Sequence, residues 1–309
     1  MKIAVQMDHP ATLRVGGDST IALMEVMQER GDELWFYHPA HLSSRGAEII
    51  ATQAQRIRLT GGGDPWYELS APQELALEDM EVVLLRQDPP FDMTYLTTTY
   101  LLERLPASVR VVNNPTYVRN HPEKIAILDF AEFIPPTIIT AQEDEILRFL
   151  DECGEIVIKP LYGFGGRSVF RFAKGDSNLL SLLEQHRERS FEPLMAQAFL
   201  PEVKDQDVRV ILIDGKVEAA VGRIPAAGEI RANFRVGGTA AAVELNPRRQ
   251  AICEAVGAKL KANGVLFAGL DLIGDYLTEV NITSPTGIRP AQQLYGTNPA
   301  KAFRDALEG

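Results

Sequence analysis

The chain has 309 residues, 45% hydrophobic and 24% charged, an ordinary soluble composition long enough for two or three packed units. Acidic side chains outnumber basic ones by 42 to 31, for a net charge of −11. The composition advertises no nucleic-acid or anionic-membrane surface, and a bound polyanion must be held by a local positive site. No run reaches the apolar length of a membrane span, and Met1-Lys-Ile-Ala-Val lacks a signal-peptide pattern. Cys153 and Cys253 supply neither a disulfide framework nor a metal cluster, so a reducing cytoplasm is expected.

Residues 2–7 read as a buried strand. Residues 18–30 read as a helix, with Asp18 or Ser19 at its N-cap, inward Ile21, Met24 and Met27, and Gly31 at its stop. Strands follow at 33–37, 81–86 and 110–113. Strands separated by helical stretches predict a parallel sheet with helices on its faces, an α/β unit. Polar residues gather after the strand ends: Asp8 and His9, Arg86 to Asp92, then Asn113 and Asn114. Open α/β sheets bind ligands at that edge. Asp88-Pro89-Pro90-Phe91-Asp92 can neither extend a strand nor start a normal helix, which makes it a rigid loop.

The pattern changes near residue 119. Helices are predicted at 124–130, 142–152, 178–188 and 247–263. Strands are predicted at 155–159, 168–172, 194–199, 208–213, 216–223, 268–273 and 276–281. The second half is an α+β unit in two lobes.

Several segments carry chemistry. Asp271 to Asn281 reads as two strands joined by a tight Gly274-Asp275 turn, which brings Asp271, Glu279 and Asn281 to one face. Two carboxylates and an amide oxygen suit a hard divalent cation that bridges phosphates. A solvated hairpin is the plain alternative. Lys159-Pro-Leu-Tyr-Gly163-Phe-Gly165-Gly166 is a strand ending in lysine and then a glycine-rich turn, fit to close over phosphates. It differs from a P-loop because the lysine precedes the glycines and a strand follows them. A mobile surface turn reads the same way. Strand 194–199 could border an adenine or be a core strand. Asp207 and Arg209 share a strand face. Arg223, Arg231 and Arg235 follow around glycines, where they could clamp a phosphoryl group or lie solvated. Ser284, Thr286 and Arg289 could receive a carboxylate beside the cation. The five histidines form no Ser/His/Asp or zinc spacing.

In order along the chain, these segments resemble the ATP-grasp superfamily, and within it the bacterial-type glutathione synthetases. The resemblance is carried by Met7-Asp8, Asp18-Ser19-Thr20, Arg86-Gln-Asp-Pro-Pro-Phe-Asp92, Asn113-Asn114-Pro115, Glu123-Lys124, Lys159 to Gly166, Arg223-Ile-Pro225, Gly269-Leu-Asp271 and Glu279-Val-Asn-Ile-Thr-Ser-Pro-Thr286-Gly-Ile-Arg289. It implies an N-terminal Rossmann-like domain (1–118), a first ATP-grasp lobe with the lid (119–190) and a second with the metal site (191–309). It also implies ligation of γ-glutamylcysteine to glycine through an acyl phosphate, giving glutathione, ADP and phosphate. By position, Lys124 and Lys159 would contact ATP phosphates under Gly163, Gly165 and Gly166. Gln197, Ala198 and Leu200 would border adenine, and Asp207 the ribose. Asp271, Glu279 and Asn281 would hold Mg²⁺ or Mn²⁺. Arg209, Arg223 and Arg231 would serve the phosphates and the acyl phosphate. Asp18, Ser19, Arg86, Asp88, Ser284, Thr286 and Arg289 would lie by the peptide and glycine. A cytoplasmic homotetramer is expected.

The chain departs from the family where lysines are common, with Gly17, Gln87 and Asn114, and where the lid reads Leu161-Tyr162-Gly163 in place of Leu-Asp-Gly. These changes leave open another γ-glutamyl or small peptide as acceptor. A nucleotide-binding scaffold without catalysis is the reading from another class.

Overall fold

The computed structural model describes residues 1–163, 168–225 and 238–308. The chain opens in a mixed eight-stranded sheet: β1 (Lys2–Gln6), β2 (Glu33–Tyr37), β3 (Leu42–Arg45), β4 (Glu48–Leu59), β5 (Tyr67–Leu69), β6 (Gln73–Ala76), β7 (Val82–Leu85) and β8 (Arg110–Val112). β2-β1-β7-β8 are parallel neighbours. The runs of β1, β2 and β7 are mostly apolar and buried, as strands covered on both faces require. The helices of this part are α1 (Ser19–Glu29), α2 (Met93–Leu102) and α3 (Pro115–Asn120).

The predicted parallel sheet is correct only for those four strands. β4 runs antiparallel to β2 and carries β3, β5 and β6. Its apolar positions Ala54, Ile57 and Leu59 are diluted by Thr52, Gln53, Gln55 and Arg56, so no hydrophobic run marks it. α2 was also unmarked, because it is rich in β-branched threonine, which favours helix weakly.

The next sheet is antiparallel. It comprises β9 (Thr137–Thr140), β10 (Glu155–Pro160), β11 (Phe170–Ala173) and β12 (Leu194–Ala198), in the order β11-β10-β12-β9. Ile146, Phe149 and Leu150 of α4 (Glu143–Cys153) and Leu179 and Leu183 of α5 (Asn178–Arg189) pack with Ile156, Ile158 and Phe172 as its core. β12 lies beyond residue 190 yet hydrogen-bonds to both β9 and β10. The predicted helix at 124–130 is a 3-10 turn, Ala126–Phe130.

The last sheet has the order β15-β14-β13-β16-β17, from β13 (Asp207–Ile213), β14 (Lys216–Ile224), β15 (Thr239–Ala242), β16 (Phe267–Ile273) and β17 (Tyr276–Asn281). Its helices are α6 (Pro247–Ala262), α7 (Ile288–Tyr295) and α8 (Pro299–Ala306). Cys253 of α6 is fully buried, and both cysteines are free.

The first and last parts share a core. Ile3, Val5 and Met24 cluster with Ile211, Phe267 and Phe303. Asn113 joins the same parts. Its amide donates to Phe267 O and Ile282 O, both at 2.7 Å, and its oxygen accepts Leu266 N at 2.9 Å and Phe267 N at 3.0 Å. All four partners are buried backbone groups, so one side chain satisfies them together.

Candidate active site

Strand register builds the centre of the site. Arg209 on β13 pairs with Asp271 on β16, which pairs with Glu279 on β17; one step along, Asp207 pairs with Arg223 on β14. Two-residue alternation puts Asp207 and Arg209 on one face, and the hairpin turn at Gly274 (φ 56°) brings β17 back beside β16. Arg209 donates to Asp271 through Nε (2.5 Å) and Nη2 (2.9 Å). Arg223 Nη2 lies 2.5 Å from Asp207 Oδ2 and 3.0 Å from Asp271 Oδ1. Gly269 makes room for this packing, since a Cβ there would stand 3.1 Å from Arg209 Cδ.

All four charged side chains are buried. Burial alone would raise the Asp271 carboxyl, but Arg209 and Arg223 hold it well below the usual carboxylate range. Burial and the neighbouring Asp271 charge push Asp207 up despite Arg223. Two buried atoms in this cluster, Asp207 Oδ1 and Arg223 Nε, have no hydrogen-bond partner among the described residues. Buried polar atoms are normally paired, so such atoms mark a place for a polar ligand.

Asn281 Nδ2 donates to Gly269 O at 3.2 Å and to Asp271 Oδ2 at 3.4 Å. Among the described residues, no group of three or more His, Cys, Asp and Glu alone could hold a metal. A cation here needs the Asn281 oxygen beside the Asp271 and Glu279 carboxylates. That all-oxygen set, with room for substrate oxygens, fits a hard divalent ion.

The first lobe brings two lysines. Lys124 Nζ donates to Gly163 O at 2.5 Å and stands 3.8 Å from Glu279. Lys159 Nζ donates to Gln197 Oε1 at 2.8 Å, and Gln197 Nε2 donates to Thr137 Oγ1 at 3.0 Å. Burial lowers the Lys159 pKa against the pull of Glu279. Ala198 ends β12, its N–H bonded to Pro136 O, and Leu200 immediately precedes the 3-10 turn Pro201–Lys204. Gly165, Gly166 and Arg231 lie outside the described residues.

The first domain's expected substrate residues have partners inside the protein. Asp18 caps α1 through Thr20 N (2.7 Å), and Ser19 Oγ accepts Ile288 N (3.3 Å). Arg86 is buried, donates to Thr20 Oγ1 and Pro285 O (both 3.1 Å), and lies 5.2 Å over the Phe267 ring. The Asp88 N–H donates to Asp8 Oδ2. Ser284 is half-buried in the loop after β17, Thr286 O accepts Arg209 Nη1 (3.1 Å), and Arg289 pairs with Glu25 (2.6 Å). Sequence reasoning missed Glu123 and Thr283, which are bonded to each other at 2.6 Å beside Lys124. Their only sequence signal was adjacency to residues already singled out.

The prokaryotic glutathione synthetase N-terminal domain model matches residues 1–119, and the ATP-grasp domain model of the same family matches 123–296. The chain belongs to the prokaryotic glutathione synthetase family. It is 46% identical over 308 residues to the glutathione synthetase of Brucella melitensis, covering 100% of this chain and 98% of that one. It is 45% identical to that of Agrobacterium fabrum, covering 99% and 96%. Glutathione synthetases are ATP-dependent ligases with an ATP-grasp fold, the class expected from the sequence. Among solved structures, an ATP-grasp RimK domain protein from Sphaerobacter thermophilus shares the fold at TM-score 0.68 and 19% identity, covering 100% of both chains. D-cycloserine synthetase DcsG does so at 0.67 and 14%, covering 99% of this chain and all of that one.

Two of the departures from the family's lysines have local explanations. Gln87 is buried and accepts from Gln6 Nε2 (2.8 Å) and Thr98 Oγ1 (3.3 Å). Asn114 caps α3 and donates to Asn263 O at 3.0 Å. Both positions serve packing here. Gly17 is exposed, with open space around it.

Proposed function

We propose that this chain ligates γ-glutamylcysteine to glycine at the expense of ATP, releasing glutathione, ADP and phosphate. The observation that carries the reading is the row Arg209–Asp271–Glu279 across paired strands, with Arg223 beside it and Lys124 reaching Glu279 from the other lobe. Full-length similarity to glutathione synthetases supports the substrates, and the alternative acceptor is not favoured.

A carboxylate is a poor electrophile, since it is negative and has no good leaving group. Transfer of the γ-phosphoryl to the dipeptide carboxylate gives an acyl phosphate. The glycine nitrogen then bonds to the carbonyl carbon, the C–O bond to phosphate breaks with its electron pair on phosphate, and the nitrogen loses a proton to solvent. Positioning and charge neutralisation supply such catalysis, without a side-chain nucleophile. Lys124 and Lys159 bind and orient the phosphates. Arg209 and Arg223 meet the charge on the transferring group and hold Asp271 in place. Gln197, Ala198 and Leu200 border the adenine, with Asp207 at the ribose. Asp271, Glu279 and Asn281 would hold Mg²⁺, which would supply positive charge against the phosphates. By the family resemblance, Gly163, Gly165 and Gly166 would serve the phosphates and Arg231 the transferring group. Asp18, Ser19, Arg86, Asp88, Ser284, Thr286 and Arg289 shape the peptide side, several through the internal bonds described above.

The division at residue 118 is retained. The pairing of β12 supports extending the first ATP-grasp lobe past Ala198. The protein works as a cytoplasmic homotetramer on this reading; no helix of the described residues is long and apolar enough to cross a membrane. The test is ADP release with Mg-ATP, γ-glutamylcysteine and glycine, with mass detection of product. Glutathione equal to ADP supports the reading; ADP without glutathione overturns it.

A further inference from the structure

Two stretches on opposite sides of the site meet through a pair of aromatic rings. Phe91 belongs to the rigid loop that follows Arg86 and Asp88 on the peptide side, and Pro89 and Pro90 stiffen its link to Asp88. Tyr162 follows Lys159 on the phosphate side, beyond Pro160 and the buried Leu161. The two rings stack with centroids 6.2 Å apart and planes 16° apart. Phe91 rests in turn on the fully buried Tyr95 at 5.1 Å, and the Tyr95 N–H donates to Asp92 Oδ1 at 2.9 Å. Beside Tyr162, the Gly163 carbonyl accepts Lys124 Nζ at 2.5 Å. The gap between the two stretches is about 10 Å³, room for a single water, so they meet directly.

An aromatic pair in this geometry stabilises beyond the area it buries. Tyr162 is partly exposed and Phe91 half-buried, so each ring depends on the other for cover. The stack forms only when both stretches are in place. A ligand that fixes one stretch readies half of the contact, and a ligand that fixes the other completes it. The contact therefore adds more to the binding of two ligands together than to either alone. Coupling of this kind is reciprocal, each ligand tightening the other by the same factor, and the factor cannot exceed what the contact contributes.

We propose that Tyr162 and Phe91 are positioning residues that couple the two halves of the site, so that the acceptor dipeptide tightens the nucleotide and the nucleotide tightens the dipeptide. The proposal rests on the ligase reading, which puts the dipeptide beside Arg86 and Asp88 and the phosphates beside Lys124 and Lys159. Tyr162 acts through Lys159 and through the Gly163 carbonyl that holds Lys124, and Phe91 acts through the loop of Asp88. Their role lies in the contact between them, not in contact with a substrate. Loss of either ring should therefore have the same effect on the coupling as loss of both.

The test measures the Kd of non-hydrolysable Mg-AMPPNP by calorimetry, with and without saturating γ-glutamylcysteine, in wild type, Tyr162→Leu, Phe91→Leu, the double variant and Tyr162→Phe. Leucine removes the ring and keeps apolar bulk, and thermal melts check that each variant folds. In wild type the dipeptide should tighten the nucleotide by roughly two- to tenfold, the range an aromatic pair commands. The factor should fall to about one in both leucine variants and in the double variant alike, since coupling needs both rings. Tyr162→Phe keeps the ring and should keep the factor. Glutathione synthesis by wild type with no tightening in wild type, or with the same tightening in both leucine variants, overturns the coupling alone. No glutathione from wild type overturns the ligase reading and the coupling with it.

Discussion

Asp271 and Glu279 face each other across β16 and β17, yet their replacement should have different consequences. Asp271 receives three guanidinium bonds, from Arg209 at 2.5 and 2.9 Å and Arg223 at 3.0 Å, and its side chain is 5% exposed. Asp271→Asn keeps the shape but removes the carboxylate charge that the two buried guanidiniums share, leaving Arg223 its bond to Asp207 and Arg209 its bond to Thr286 O. Removing one member of a buried ion pair costs about 3–5 kcal/mol. Glu279 is 22% exposed and has Lys124 as its near cation at 3.8 Å, so Glu279→Gln should cost under about 1 kcal/mol. Both should lower kcat by about a hundredfold or more, as loss of an electrostatic group at the reacting centre does. Urea unfolding at pH 7 measures the stability, and ADP release measures turnover. The depressed Asp271 pKa fixes the pH dependence. Its stabilisation is present above the ordinary carboxylate value of 3.8 and is lost as pH falls through its own lower value, so the gap between wild type and Asp271→Asn narrows in acid. Equal stability of Asp271→Asn and wild type, or equal destabilisation by both substitutions, would refute the reasoning.

Asn113→Ala strips partners from four buried backbone groups, so unfolding free energy should fall by about 3 kcal/mol or more; a loss under about 1 kcal/mol in urea melts contradicts that joining role. Lys159 has a pKa lowered by burial, so its charge is lost as pH rises through a value below the ordinary 10.5, and kcat/KM for ATP should fall along that limb. Lys159→Arg stays charged and should move the limb to higher pH; an unmoved limb assigns it to another group. Arg86→Lys loses the bonds to Thr20 and Pro285 and should raise the γ-glutamylcysteine KM while leaving the ATP KM unchanged, which steady-state kinetics resolve. Asp18→Ala removes the α1 cap and should cost about 1 kcal/mol by thermal melt, with a larger loss pointing to a further role.

The metal-side hairpin was legible because its signals are local. The Gly-Asp turn pairs Ile273 with Tyr276 and Leu272 with Leu277, a bulge just beyond brings Glu279 opposite Asp271, and the Asp207/Arg209 alternation gives a shared face. What sequence could not give is which partner each charge finds. Arg209 meets Asp271 across 62 residues and Arg86 meets Pro285 across 199, pairings set by sheet order rather than by any nearby pattern. The ribbon from β3 to β6 escaped because its strands interleave polar and exposed residues with the apolar ones, and β3, β5 and β6 are short strands paired only to β4. β12 pairs with β9 and β10, partners that strand propensity does not reveal.

The most direct test of the account follows oxygen through the reaction. γ-Glutamylcysteine labelled with ¹⁸O in its cysteinyl carboxylate is incubated with Mg-ATP, glycine and the protein, and the phosphate and glutathione are analysed by mass. Transfer of one ¹⁸O into the released phosphate for each glutathione formed is the predicted result, because the acyl phosphate breaks at its carbonyl C–O bond. Unlabelled phosphate, or ADP formed without glutathione, would contradict the ligase account at its centre.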